Sequence, residues 1–135
     1  MSQITTGGCL CGAVRFRIAG AFEHFFLCHC SRCRRDTGSA FAANLFSCVA
    51  TITWEGDPAC RRLFQLPGTR HARGFCARCG AALPSEQMDG ALLVVPAGCL
   101  DTAPDIAPEA HLCHASRADW DHDLETLPKR DGLSG

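Results

Sequence analysis

The chain has 135 residues and a formal net charge of −1, a length that suits one domain with one modest core. Separate cofactor and substrate domains are largely excluded by this length. The near-neutral charge argues against a general nucleic-acid binder and against a membrane-surface protein, because both depend on a net positive field. The hydrophobic fraction of 47% includes eleven cysteines, so we expect something besides apolar burial to stabilise a thin core.

The eleven cysteines favour a metal site over disulfides. The first ten residues, MSQITTGGCL, lack a basic segment followed by an apolar one, so we expect a cytoplasmic protein whose thiols stay reduced. An odd number of cysteines also fits pairwise bridging poorly. Cysteines spaced two or three residues apart instead suit a soft metal ion. No run approaches the roughly 18 apolar residues that span a bilayer, so we expect no membrane segment.

Alternation of apolar and polar residues predicts a mainly β, mainly antiparallel domain. The clearest strand is 14–18, where Val14, Phe16 and Ile18 share one face. Further strands are predicted, with Gly, Pro and Asp turns between them, at 25–28, 40–46, 50–54, 61–66, 70–75, 91–96 and 110–115. Only one short helix is expected, at Ser31–Thr37. The domain is expected to span 1–120, with Trp120 packed on the sheet and a loose tail at 121–135.

Two cysteine pairs predict a closed zinc site. Cys9 and Cys11 form C-x-C, which on a strand would present both sulfurs on one face. Cys76 and Cys79 form C-x-x-C, and the sequence FCARCG around them is typical of a zinc knuckle. Joined on one ion, the pairs would link distant parts of the chain and add folding energy to the thin core. The alternative is that all four are ordinary buried thiols.

A third group, Cys28, Cys30 and Cys33, predicts a zinc with three protein ligands and an open fourth position, the arrangement of a reactive site. On an extended chain His29 would face away from Cys28 and Cys30. Three alternatives stay open: a redox cluster without zinc, His29 as the fourth ligand, and a closed structural site completed by Cys48, Cys60 or a histidine.

Basic residues flank these groups. Arg32 lies within the third group, and Arg34 and Arg35 follow it directly. The guanidiniums of these three residues either pair with the carboxylates of an anionic small ligand or are simply solvated. Plain surface charge is expected of the residues before the second knuckle, Arg70, His71 and Arg73. His111 and His114 would point to opposite faces of the predicted strand at 110–115. We therefore expect at most one of these two histidines to face a pocket.

Four segments, in order, resemble the glutathione-dependent formaldehyde-activating enzyme family, which includes centromere protein V-like proteins. They are GGCLCGAVRF, CHCSRCRRDTGSAF, RGFCARCGAAL and AHLCHASRADW, and the resemblance covers roughly residues 7–120. It implies a tent-like β fold on several sheets, and an activity that joins glutathione and formaldehyde to S-hydroxymethylglutathione. It also implies two zinc ions, a structural one on Cys9, Cys11, Cys76 and Cys79 and a catalytic one on Cys28, Cys30 and Cys33.

These observations predict a zinc-dependent carbon–sulfur lyase acting on a glutathione–aldehyde adduct, with a small thiol such as glutathione as its partner. An open zinc position would bind a thiol and lower its pKa, so that thiolate is available near neutral pH. The alternative is a non-enzymatic zinc module that serves protein or chromatin contact. A zinc-ribbon nucleic-acid binder is disfavoured by the net charge and by the single lysine among 13 cationic residues.

Overall fold

Short strands in three sheets make up most of the structure, a computed structural model that describes residues 3–133. The strands in that range are β1 (Ile4–Gly8), β2 (Val14–Ala19), β3 (His24–Cys28), β4 (Ala42–Ser47), β5 (Thr51–Gly56), β6 (Arg61–Gln65), β7 (Ala72–Cys76), β8 (Ala82–Leu83), β9 (Ser85–Gln87), β10 (Leu92–Pro96) and β11 (Ala110–Leu112). The helix α1 (Ser31–Thr37) follows β3. Single 3-10 turns lie at Pro58–Cys60, Ala97–Cys99, His114–Ser116 and Leu124–Thr126.

The first sheet has the strand order β1–β2–β5, the second β11–β3–β4–β10–β9 and the third β6–β7–β8. Paired strands are antiparallel except for β3 and β11, which run parallel. The prediction of a mainly β, mainly antiparallel single domain is confirmed. Each sheet carries one cysteine group: Cys9 follows β1, Cys28 ends β3 and Cys76 ends β7.

The core draws on all three sheets. Phe16 and Ile18 alternate with exposed or half-buried neighbours along β2 and are themselves fully buried. In the second sheet Leu45 of β4 pairs in register with Val95 of β10, and both are fully buried. Leu83 of β8 adds a side chain from the third sheet. Burying one such side chain stabilises the fold by about 1.5–3 kcal/mol. These few side chains therefore contribute much of the energy that holds the three sheets together.

Most predicted elements agree with the structure within two residues at each end, and α1 agrees exactly. Three short strands were not predicted: β1, β8 and β9. The expected strand at 110–115 ends at Leu112, because Cys113 has a φ of 53° and the chain then makes a 3-10 turn. Trp120 is 61% exposed, so the prediction that it packs on the sheet is wrong. The domain boundary at residue 120 stays a prediction.

Among residues 3–133, no helix has the length and apolar character needed to cross a membrane. The helix α1 is only seven residues long, and none of its side chains is buried. Its N-cap is Cys30, whose sulfur accepts a hydrogen bond from the backbone N–H of Cys33 at 3.3 Å. Gly38 ends the helix by donating its N–H to the carbonyl of Arg34. The start of the helix is therefore shaped by two cysteines of the third group.

Two of the three isoleucines of the first sheet provide a matched test of its packing. Ile18 is fully buried, whereas Ile4 is 49% exposed. We expect Ile18→Val to lower the free energy of unfolding by about 0.5–1.5 kcal/mol, because it leaves a methyl-sized gap in the core. The same change at Ile4 should cost clearly less. Urea denaturation of zinc-loaded protein measures both, and equal losses would contradict the assigned core.

Candidate metal centres

The two cysteine pairs meet in one cluster. Cys9, Cys11, Cys76 and Cys79 each bring a sulfur within 4.8 Å of the other three, although Cys11 and Cys76 are 65 residues apart in sequence. Cys9 and Cys76 are buried, Cys79 is half-buried and Cys11 is exposed. We call these four residues the four-thiol cluster. It joins the turn after β1, in the first sheet, to the turn between β7 and β8 in the third.

Both pairs of the four-thiol cluster lie on tight turns that aim backbone N–H groups at sulfur. Val14 donates to Cys9 at 3.3 Å, and Arg78 donates to Cys76 at 3.4 Å. Gly80 has a φ of 75°, which glycine adopts without steric cost, and this lets its N–H reach the carbonyl of Cys76 at 2.7 Å. The expectation that Cys9 and Cys11 share a strand face is wrong, because both follow the end of β1.

The geometry of the four-thiol cluster fits zinc. Cys9 and Cys11 have their sulfurs 3.7 Å apart, and those of Cys11 and Cys76 are 3.9 Å apart. A tetrahedral ion with zinc–sulfur bonds of about 2.3 Å separates its sulfurs by about 3.8 Å. Hydrogen bonds from the backbone N–H groups of Ala81 and Cys11 lower the pKa of Cys79 to about 6, which favours the thiolate that a metal requires.

The third group also comes together, as a cluster of three. The sulfurs of Cys28, Cys30 and Cys33 lie within 4.8 Å of one another, and all three residues are half-buried. We call them the three-thiol cluster. Within residues 3–133 no other histidine, cysteine or carboxylate joins this group, so neither Cys48 nor Cys60 completes it. The cluster forms where β3 ends and α1 begins.

Charge repulsion in the three-thiol cluster calls for a cation. Burial raises the pKa of Cys33, and the neighbouring Cys30 and Cys28 raise it further. Three sulfurs held this close resist ionisation together unless a positive ion compensates them. Three thiolates suit a soft divalent ion such as zinc and leave a fourth tetrahedral position for another ligand. Both clusters could therefore hold zinc, one closed by the protein and one not.

His29 faces a histidine cluster instead of the sulfurs. Its Nε2 lies 2.8 Å from Nδ1 of His111, and its Nδ1 lies 3.3 Å from a carboxylate oxygen of Asp121. The His29 ring is buried against Phe41, and its centroid lies 5.6 Å from that of His114. Burial lowers the pKa of His29, although the nearby carboxylate of Asp121 acts in the opposite direction. Both ring nitrogens of His29 face these partners and not the sulfurs, so His29 is not a fourth ligand of the three-thiol cluster.

His111 and His114 do not point to opposite faces, as their positions on the expected strand predicted; that at most one of them faces a pocket stays a prediction. Their ring centroids are 5.4 Å apart, and both lie against His29. The turn at Cys113 breaks the strand parity on which the prediction depended. Asp121 was not singled out from the sequence, because nothing local marks one aspartate in an acidic tail as the partner of a buried histidine.

Two of the three basic residues before the second knuckle, His71 and Arg73, are not plain surface charge, whereas Arg70 is exposed. Arg73 is paired with Asp36 of α1, donates to the carbonyl of Gly80 at 3.0 Å and lies beside His71, whose Nε2 is 2.7 Å from the same carboxylate. Asp36 and Arg73 have side chains that are only 16% and 26% exposed. This link runs from the helix of the three-thiol cluster to the knuckle of the four-thiol cluster.

The other cysteines lie outside both clusters. Cys48 and Cys113 are exposed, while Cys60 and Cys99 are half-buried. Burial raises the pKa of Cys99 to about 12, and its sulfur lies 3.0 Å from the carbonyl oxygen of Pro96. Cys99 therefore has the properties of a packing residue with an unreactive thiol.

Alkylation should separate these thiols. In zinc-loaded native protein at pH 8 we expect Cys99 to react with iodoacetamide at least about tenfold more slowly than exposed Cys48, because the thiolate is the reacting form. Peptide mass mapping over time measures both rates. In guanidinium chloride the two should react alike. A native Cys99 that reacts as fast as Cys48 would contradict its assignment.

Arg73→Gln tests the link between the clusters. The change removes charge-assisted hydrogen bonds to Asp36 and leaves that half-buried carboxylate with His71 alone. We expect the free energy of unfolding to fall by about 1–3 kcal/mol. The matched control is Arg17→Gln, at an exposed arginine of β2, which should have almost no effect. Urea denaturation decides, and equal small effects would rule out a structural role for the link.

Comparison with known proteins agrees with the cysteine pattern. A sequence model described as "Glutathione-dependent formaldehyde-activating enzyme" matches residues 4–116. A Halomonas elongata protein named "Putative glutathione-dependent formaldehyde-activating enzyme" is 34% identical over 129 residues, covering 87% of this chain and 80% of that protein. A crystal structure of a Rhodobacter sphaeroides protein is similar in fold, with a TM-score of 0.53 and 22% identity over 79% of this chain and 98% of that chain. The resemblance is thereby confirmed, and the chain belongs to the glutathione-dependent formaldehyde-activating enzyme family.

Proposed function

We propose that the protein catalyses the reversible joining of a small thiol, such as glutathione, to formaldehyde, and so acts as a zinc-dependent carbon–sulfur lyase in the reverse direction. The observation that carries the proposal is the three-thiol cluster, in which three half-buried sulfurs meet without a fourth protein ligand among the described residues. Membership of the family supports it. The four-thiol cluster serves as the structural site.

The reaction needs no oxidant or reductant. The thiol sulfur bonds to the aldehyde carbon, the π electrons of the carbonyl move to oxygen, and that oxygen takes the proton that leaves the thiol. The product carries a hydroxymethyl group on sulfur. In reverse the carbon–sulfur bond breaks and the carbonyl forms again, which is the lyase direction.

Cys28, Cys30 and Cys33 would hold zinc, which when bound supplies an open coordination position and lowers the pKa of a thiol there. The protein's own contribution is to keep the three sulfurs in place. Cys28 ends β3, and Cys30 caps the helix that carries Cys33. Asp36 ties the same helix to Arg73. The site is thus presented on short regular elements and held by polar contacts.

The charge around the three-thiol cluster favours an anionic thiol. Three thiolates on a divalent ion leave a net negative charge, which is a poor environment for a second anion. Arg32, Arg34 and Arg35 lie in the same short helix and supply positive charge close by. Fixed charges of this kind attract small anions and raise their local concentration.

All eleven cysteines are free thiols, which favours a reducing compartment such as the cytoplasm.

The competing function is a non-enzymatic zinc module. It shares the four-thiol cluster, which alone would stabilise a scaffold for protein contact. It gives no reason for a second cluster with three sulfurs instead of four. The two functions therefore make different predictions for the three-thiol cluster. The lyase should hold its metal weakly there and should respond to added thiols. The non-enzymatic module should hold the metal tightly and should show no response to thiols.

Turnover is the first test. Zinc-loaded protein should raise the rate of S-hydroxymethylglutathione formation from glutathione and formaldehyde above the spontaneous rate, measured by NMR exchange spectroscopy. Cys30→Ser should remove the acceleration, because it takes one sulfur from the three-thiol cluster. Cys48→Ser, at an exposed cysteine outside both clusters, should keep it. Equal rates with and without the wild-type protein would refute the proposed activity.

Metal removal is the second test. We expect two zinc ions per chain, and a weak chelator should remove one well before the other, because three ligands hold zinc less tightly than four. Native mass spectrometry counts the ions during the titration. Cys30→Ser should keep one zinc and the circular dichroism of the wild type. Simultaneous loss of both ions from the wild type would favour the non-enzymatic module.

A further inference from the structure

A path of hydrogen bonds connects the two clusters. In the four-thiol cluster, Gly80 donates its N–H to the carbonyl of Cys76 at 2.7 Å. The carbonyl of Gly80 in turn accepts a hydrogen bond from one guanidinium nitrogen of Arg73 at 3.0 Å. Another nitrogen of Arg73 donates to the backbone carbonyl of Asp36 at 2.8 Å and to the Asp36 carboxylate. Asp36 lies on α1 one helical turn after Cys33, so the path ends at the three-thiol cluster.

The helix α1 depends on this link for its position. It has only seven residues and no buried side chain, and helices shorter than about 12 residues are not stable on their own. Apart from the sulfur of Cys33, the only α1 side chain that bonds to another element in the described part of the chain is that of Asp36. Asp36 and Arg73 also line a groove of about 280 Å³ and a cavity of about 80 Å³, so packing around the link is loose.

The order of α1 decides whether the three sulfurs meet. Cys28 ends β3, which lies between β11 and β4 and is therefore held by the sheet. Cys33 lies in the first turn of α1, where its N–H donates to the sulfur of Cys30 at 3.3 Å. A helix that is released from Arg73 would let Cys33 move away from the other two sulfurs. The helix thus has a docked arrangement, which both clusters favour, and a released one.

We propose that Arg73 and Asp36 couple the two clusters, so that zinc bound at one cluster raises the zinc affinity of the other. An ordered four-thiol cluster fixes the carbonyl of Gly80, and Arg73 then holds α1 in its docked arrangement. Zinc binding at the three-thiol cluster no longer has to order the helix, which makes that binding tighter. The effect is reciprocal, because a coupling free energy acts equally on both sites. Arg73 and Asp36 are positioning residues that act through the helix, and their role does not depend on the proposed activity.

Zinc affinity tests the coupling. Protein with zinc at the four-thiol cluster alone is titrated with further zinc against a competing chelator. We expect Arg73→Gln and Asp36→Ala each to weaken binding at the three-thiol cluster roughly tenfold, as is typical of coupled sites. Alanine favours a helix more than aspartate does, so the loss in Asp36→Ala cannot come from a weaker helix. The double variant should bind no more weakly than the single variants, because both changes break the same link.

Arg17→Gln on β2 is the matched control for these titrations and should bind zinc like the wild type. Wild-type affinity in both single variants would overturn the inference. Additive losses in the double variant would also overturn it, because they would mean that Arg73 and Asp36 act independently. A wild type that binds only one zinc ion would overturn it as well.

Hydrogen exchange separates coupling from a general loss of stability. When zinc saturates the three-thiol cluster of the wild type, amide exchange should slow in α1 and also at residues 76–81 of the four-thiol cluster. In Arg73→Gln, saturation should slow exchange in α1 only, as measured by peptide mass spectrometry. A variant that is merely less stable would still protect residues 76–81. Such protection in Arg73→Gln, or none in the wild type, would contradict the coupling. Neither experiment uses formaldehyde, so the coupling and the proposed activity can fail separately.

Discussion

The meeting of two cysteine pairs across 65 residues of chain is the contact on which the remaining structure depends. It joins the turn after β1 to the turn after β7, and so fixes the first sheet against the third. Cys9 and Cys76 also belong to the apolar core, so the same residues serve packing and sulfur clustering. Closing so long a loop costs conformational entropy that a small core offsets poorly. A metal ion that binds only the folded arrangement adds its binding energy to folding.

The position of the three-thiol cluster follows from that contact through polar links. Its helix buries no side chain, so apolar packing holds α1 only weakly. Asp36 at the far end of α1 is held by Arg73, and Arg73 is held by the carbonyl of Gly80 beside Cys79. A change in the four-thiol cluster should therefore shift the helix α1 through the guanidinium of Arg73. The two candidate metal centres are distinct in ligands and mechanically connected.

Spacing in the sequence predicted the membership of both clusters but not the reason for it. The strand argument for Cys9 and Cys11 was wrong, because a turn with backbone N–H groups aimed at sulfur brings them together. Parity also misplaced His111 and His114, since a single residue in the left-handed region, Cys113, reverses the chain. The role of Arg73 depends on contacts with residues 37 and 7 positions away, which no local pattern encodes. Short strands such as β8 leave too few residues to show alternation.

The helix α1 carries sulfur and positive charge on different faces. Cys30 caps the helix and Cys33 lies in its first turn, and both belong to the three-thiol cluster. Arg32 and Arg35 are three residues apart and share another face of the same helix. A substitution of either arginine would therefore leave the three sulfurs in place, whereas a substitution of a cysteine would take one sulfur from the cluster. The charge on the surface of this helix can change without any change in the sulfurs.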